Sequence, residues 1–424
     1  MNNNVGLTSS NKKNTKKYLF LAIILLYSLF ALNRIKYAIP ITVGDSTINN
    51  FVLIILFVFF IAIVIYGTRI SLTPSFGFLV FFYLLFSVFV SLINGNSISS
   101  GFYAMSQIIV PFLGFLFASK LRKNEIAPLI SFIIIISGIY AALTIVVSAN
   151  YNYFSGLLGV SNIVSYVRFA RVNMPIGSSI TVSYFLNITS PICAISFTKF
   201  KRKKVMKLAS LISLILSLVA IVLQGSRAAI IVLGVEAIFF FLYILKSKRK
   251  LLYILAYLII AFIVIVYYTK YGDISRFFNR ASTVVNSDLT RYEEVIKGLR
   301  IFLEYPFFGT GIGTVYSRVE SGTLMYNGVT ILSDPHNAYI MLLSETGLFG
   351  FATILLFFVS FVGKTKKYDS SIHGIFLRRV LLVSILIQSL FGSHLINEPN
   401  YSFVFWTLFG LAIAINKEKE MMDW

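Results

Sequence analysis

The stretch Ser333-Asp334-Pro335-His336-Asn337-Ala338-Tyr339-Ile340-Met341-Leu342-Leu343-Ser344-Glu345-Thr346-Gly347-Leu348-Phe349-Gly350 decides how the chain reads. A long polar segment ends at its first residues, and a hydrophobic run begins within it. Pro335 biases the residue before it away from helix and itself suits a first helical turn, so a helix is predicted to start here. His336 and Asn337 then stand at the mouth of an apolar span. Histidine is the side chain best suited to proton transfer near neutral pH. On this segment alone, His336 reads equally well as a proton-transfer group and as a cap histidine at a membrane interface.

Apolar runs like the one that follows His336 recur from end to end. Only 12% of the 424 residues are charged, about half the share of a soluble domain, while 57% are hydrophobic. The mean hydropathy is +0.84. The fold class expected is an all-α polytopic membrane protein with about 12 transmembrane helices, since no run of alternating ten-residue segments marks a β-barrel. Candidate spans cover 18–32, 51–66, 76–93, 101–118, 127–148, 179–198, 208–223, 228–245, 251–268, 337–361, 380–393 and 402–415. No small-residue cleavage site follows the first, so it reads as a retained span. The last two are short. Between 208–223 and 228–245 only Gln224-Gly225-Ser226-Arg227 intervenes, which forces a tight helical hairpin with Arg227 at the membrane surface or just inside it.

A net charge of +21 invites a nucleic-acid reading, but the basic residues lie in short clusters between apolar runs, where membrane topology accounts for them. With the N-terminus in the cytoplasm and sides alternating, the inner clusters are Lys12–Lys17, Arg69, Lys120–Lys123, Lys199–Lys207, Lys246–Lys250, Lys364–Arg379 and Lys417–Lys419. They hold 25 of the 37 basic residues. Both termini are therefore expected inside, with an even number of spans. The single cysteine, Cys193, lies in an apolar run and excludes an intramolecular disulfide or a cysteine-based metal cluster.

Two outer segments are too long to be turns: 149–178, and 269–336 with its 68 residues. In the second, Arg291 to Glu304 places Val295, Ile296, Leu299 and Phe302 on one helical face, so an amphipathic helix is expected on the membrane or on the bundle, stopped by Pro306. The run Gly309, Gly311 and Gly313 has no strand before it and no βαβ unit around it, so it reads as flexible backbone near a bulky substrate rather than as a nucleotide fingerprint. The outer segments also gather arginine: Arg168, Arg171, Arg227, Arg276, Arg280, Arg291, Arg300 and Arg318, with Lys270, Lys297, His336 and His394. The topology rule disfavours such a cluster, whereas a bidentate guanidinium suits phosphate or carboxylate oxygens. An anionic ligand at the outer face is expected, with about half of these arginines paired instead to nearby acids. Arg227, between two spans, reads as a ligand-binding charge or as a side chain snorkelling to the interface. No histidine pair has zinc spacing, no acidic cluster suits a divalent cation, and no Gly-x-Ser-x-Gly elbow marks a serine hydrolase.

His336-Asn337, then nine residues, then Gly347-Leu348-Phe349-Gly350 resembles the His-Asn-x9-Gly-x-x-Gly signature of the bacterial O-antigen ligase/polymerase superfamily. Gln224-Gly225-Ser226-Arg227-Ala228-Ala229 looks like that family's short outer-side arginine motif. Leu289-Thr290-Arg291-Tyr292 through Tyr305-Pro306-Phe307 looks like the start of its large periplasmic loop, and Tyr316-Ser317-Arg318 sits where that loop carries a further arginine. The resemblance implies an inverting, metal-independent membrane glycosyltransferase without cofactors, in one integral-membrane domain of the bacterial inner membrane with its site facing the periplasm. A glycan would pass from an undecaprenyl-diphosphate carrier to a sugar hydroxyl of lipid A core, the ligase reading, or of a carrier-linked repeat unit, the polymerase reading, in which a chain-length regulator would be a further partner. His336 would be the general base. Arg227, with Arg291 or Arg318, would hold the diphosphate. Arg171 with Asn173 to Gly177, Asn337 and Glu345 would support them, and apolar walls between spans would hold the polyprenyl tail. A flippase or transporter for anionic glycolipids would instead bury polar residues at mid-membrane along a path. Here the charges cluster at one face and on a long loop.

Overall fold

In lipid, a backbone must satisfy its N–H and C=O groups within its own segment, and the apolar runs accordingly form helices. The computed structural model describes residues 18–26, 28–29, 76–95, 98–150, 178–199, 204–244, 281–315, 335–363 and 372–417, with short stretches inside 41–48, 165–176 and 325–330. After a helical segment at 18–26, the helices are α1 (Phe76–Ile93), α2 (Ile98–Ala118), α3 (Lys123–Ala149), α4 (Ser179–Lys199), α5 (Lys204–Gln224) and α6 (Arg227–Ile244). They continue with α7 (Ala281–Glu304), α8 (Ala338–Gly363), α9 (Ile372–Phe391), α10 (His394–Asn397) and α11 (Pro399–Lys417). Three small antiparallel hairpins lie in the connections: β1 (Ile41–Val43) with β2 (Ser46–Ile48), β3 (Ser165–Tyr166) with β4 (Phe169–Ala170), and β5 (Met325–Tyr326) with β6 (Val329–Thr330). No larger sheet occurs among the described residues.

The chain is thus a polytopic helical membrane protein. Ten of the twelve expected spans fall on described helical residues, while 51–66 and 251–268 lie outside them. Five helices among the described residues are long and apolar enough to cross a bilayer, namely α3, α4, α5, α8 and α9, and three shorter apolar stretches lie in α1, α2 and α11. The two short spans expected near the C-terminus are full helices. The expected 380–393 begins instead at Ile372, because Arg378, read as an inner loop charge, is buried inside α9. In the outer loop the amphipathic helix starts ten residues earlier than expected, at Ala281.

Two packing centres hold the bundle. In one, α2 and α11 lie side by side, with small residues at the contact. A Cβ on Gly410 would come within 2.6 Å of the Phe115 carbonyl oxygen. Trp406 packs edge-on against Phe112 and Phe357 and stacks on Phe358, which draws α8 onto the same core. In the other, α4 is enclosed by α3, α5, α6, α9 and α11. Its polar residues serve as interhelical hydrogen bonds. Thr189 pairs with Ser137 of α3 at 2.8 Å, and Asn187 donates to the Ala229 carbonyl of α6 at 3.0 Å. Ser190 donates to Glu236 of α6 at 3.2 Å, and Glu236 also accepts from Ser384 of α9 at 2.5 Å. Glu236 is a buried acid within a span, so not every charge sits at one face as expected.

Candidate active site

His336 is held by a residue 42 positions earlier. Helix α7 lies along the start of α8, and Gly298 sets how closely. A Cβ at that position would stand 2.5 Å from Ile340 Cγ2 and 3.2 Å from Pro335 Cγ. One turn before Gly298, Glu294 points into the same contact with 6% exposure, and its Oε2 lies 2.7 Å from His336 Nδ1. An ionised carboxylate can only accept, so Nδ1 carries the hydrogen and Nε2 is the basic nitrogen of the ring. The His336 side chain is 41% exposed. A half-open imidazole oriented by a buried carboxylate is the arrangement a general base requires.

Asn337 caps the helix. Its Oδ1 accepts from the backbone N–H of Tyr339 at 3.0 Å and of Ile340 at 3.2 Å, while its Nδ2 donates to the Leu390 carbonyl at 3.2 Å. The helix therefore begins at Ala338 behind an asparagine cap, and Pro335 precedes it rather than occupying its first turn. Through Asn337 the start of α8 is fastened to the end of α9.

The glycines of the signature do a different job. Gly347 has φ 63° and interrupts α8. At that break the segment 306–311 crosses the helix. Thr310 N donates to the Ser344 carbonyl at 3.0 Å, Gly311 N to the Glu345 carbonyl at 2.8 Å, and Leu348 N to the Pro306 carbonyl at 2.8 Å. Gly309 and Gly311 take positive φ in this crossing. The glycine run is thus a backbone-to-backbone joint buried against α1 and α8, in place of the expected flexible lining of a substrate site. The Glu345 carboxylate accepts from Val315 N at 3.2 Å within that joint.

Arg291 is exposed one turn before Glu294 on α7, and its charge acts on the Tyr184 hydroxyl of α4. His394, at the start of α10, meets the same tyrosine edge-on at 5.4 Å between ring centroids, with Nδ1 3.3 Å from Thr181 Oγ1. Arg227 opens α6 on the expected tight hairpin and is exposed. The last residue of α5, Gln224, accepts from Val172 N at 2.9 Å, so the hairpin is tied to the outer segment next to Arg171. Arg171 and Arg318, with Asn173 and Gly177, lie outside the described residues. Among the described residues no group of three or more His, Cys, Asp or Glu side chains comes together.

The structure thus pairs His336 with Glu294, sets Arg291 one turn away, and places Arg227 on a separate hairpin linked to the same helix, α4, by Asn187. Glu294 was expected only as a salt-bridge partner for arginine. The apolar face expected for α7 is only partly buried. Glu294, Gly298 and Ile301 form the buried stripe, and Leu299 is exposed. The close approach at Gly298 selects the buried face, and Val295, Ile296 and Phe302 beside it are half-buried. A glutamate four residues before a glycine on a buried helical stripe was the available signal.

Residues 212–355, which include the α5–α6 hairpin, Arg291, Glu294 and His336, match the family described as O-antigen ligase. A search of curated proteins finds no match. Over the segment that carries its candidate site, this polytopic membrane protein is therefore similar to the O-antigen ligase family.

Proposed function

We propose that the protein transfers a glycan from undecaprenyl diphosphate to an acceptor sugar hydroxyl at the periplasmic face of the bacterial inner membrane, with lipid A core as acceptor. The observation that carries this reading is the 2.7 Å contact between His336 Nδ1 and the buried Glu294 inside the family-matched segment. His336 Nε2 takes the proton of the acceptor hydroxyl. The acceptor oxygen then bonds to the anomeric carbon from the face opposite the diphosphate, and the bond to the phosphate oxygen breaks with inversion. Arg227, with Arg291 or Arg318, holds the departing diphosphate and offsets the charge that builds on it. The arginines supply the electrostatic stabilisation, so this chemistry calls for no metal. With twelve spans and both termini in the cytoplasm, residues 269–336 would face the periplasm and carry part of the site.

The test uses His336→Ala and Arg227→Lys in a strain lacking the native gene. Surface polysaccharide is separated on a gel, and carrier-linked glycan is extracted in parallel. Loss of surface polysaccharide with long carrier-linked chains left unattached is the expected result. Single carrier-linked repeats, with surface lipid bearing at most one unit, would instead assign the same chemistry to a polymerase. Unchanged polysaccharide in both normally expressed variants would contradict the glycosyltransferase reading.

A further inference from the structure

Tyr184 is fully buried near the start of α4, yet its hydroxyl has no hydrogen-bond partner among the described residues. A buried hydroxyl without a partner is destabilising, and phenylalanine would fill the same space without that cost. Its surroundings are those of an anion site. The Arg291 charge acts on it from α7, the His394 ring crosses it at 5.4 Å, and Tyr401 stands behind it with ring centroids 6.4 Å apart. These groups are fixed to the His336 machinery. Ile396 of α10 packs on Ala338 and Met341 in the first turn of α8, and Asn337 bonds the Leu390 carbonyl just before His394. Gly392 seats the imidazole, since a Cβ there would lie 2.7 Å from His394 Nε2. A phenol and an imidazole thus meet on elements tied to the helix that follows the candidate base, with the charge of a guanidinium on α7 reaching the phenol.

We propose that Tyr184 and His394 join Arg291 as the floor of the donor site, the Tyr184 hydroxyl and an imidazole N–H donating to oxygens of the diphosphate. This assignment rests on the donor reading above and adds two binding residues to it. Charge-assisted hydrogen bonds of this kind are the stronger ones, and each lost bond weakens binding about tenfold.

The test titrates the purified protein in lipid nanodiscs with farnesyl diphosphate, a short isoprenyl diphosphate, and follows thermal unfolding of the same samples without it. Wild-type protein is expected to bind, Tyr184→Phe and His394→Gln each about tenfold more weakly, with Tyr184→Phe unfolding no earlier than wild type. Wild-type binding by Tyr184→Phe would overturn the inference and leave the donor reading standing. Earlier unfolding of Tyr184→Phe would also overturn it, because the hydroxyl would then have a structural partner. Wild-type binding by His394→Gln would remove the imidazole from the site. If the wild-type protein itself failed to bind the diphosphate, the donor reading would fall and this assignment with it.

Discussion

Glu294 and Glu236 are both buried glutamates on helices, and their partners give them different work. Glu294 on α7 meets the half-exposed imidazole of His336, whereas Glu236 on α6 meets the hydroxyls of Ser190 and Ser384, donated by α4 and α9. Burial by itself therefore does not mark a catalytic carboxylate. A carboxylate against an imidazole at the mouth of the bundle fixes a tautomer and aims a nitrogen. One between two serines in the interior ties three helices together. The apolar wall beside Glu236, formed by Ala194, Leu214, Leu233 and Phe240 among others, lines a half-open pocket of about 90 Å³ and brings no second charge to it.

Substitutions should separate the two glutamates most clearly at Glu294. Glu294→Ala is expected to lower transfer about a hundredfold or more at unchanged protein level, because the imidazole loses its orientation. An activity near wild type would erase the distinction drawn here. Gly347→Ala should come next. Forcing a Cβ into φ 63° costs about 1–2 kcal/mol, read as earlier thermal unfolding, since the crossing of 306–311 over α8 holds the end of α7 in place. Gly298→Ala should shift α7 off Ile340 and reduce transfer about tenfold, with Ile340→Ala in the same chain restoring part of it. The smallest effect is expected at Glu236. Glu236→Ala should cost about 1 kcal/mol of stability, the usual size of an interhelical hydrogen bond in a membrane, and leave transfer within a few-fold of wild type. Abolished transfer in Glu236→Gln would make both glutamates functional and break the comparison.

Much of the bundle was legible in the sequence. The span expected at 76–93 coincides with α1, and the hairpin at Gln224 to Arg227 is where the four-residue gap required it. Hydropathy failed where a charge is buried by protein rather than carried by solvent. Arg378 hid the first two turns of α9, and Glu236 passed unremarked inside α6. His336 could be proposed from the sequence because proline, asparagine and an apolar run frame it. Glu294 was not, because its role depends on α7 lying against Pro335 and Ile340, a contact set by Gly298 that no local periodicity encodes. The same contact turned the glutamate, rather than Leu299, inward. The signature glycines were visible as a pattern, but that Gly347 meets Gly309 and Phe307 backbone to backbone depends on a crossing between distant segments.

The central claim is that His336 and Glu294 act as one unit. A double-mutant cycle on transfer rate tests it directly, with Glu294→Ala, His336→Ala and both together, each measured at matched protein level. A unit predicts that the double variant is no slower than His336→Ala alone, because removing the base leaves the carboxylate nothing to orient. Losses that multiply in the double variant would mean the two residues act independently, and would contradict the account.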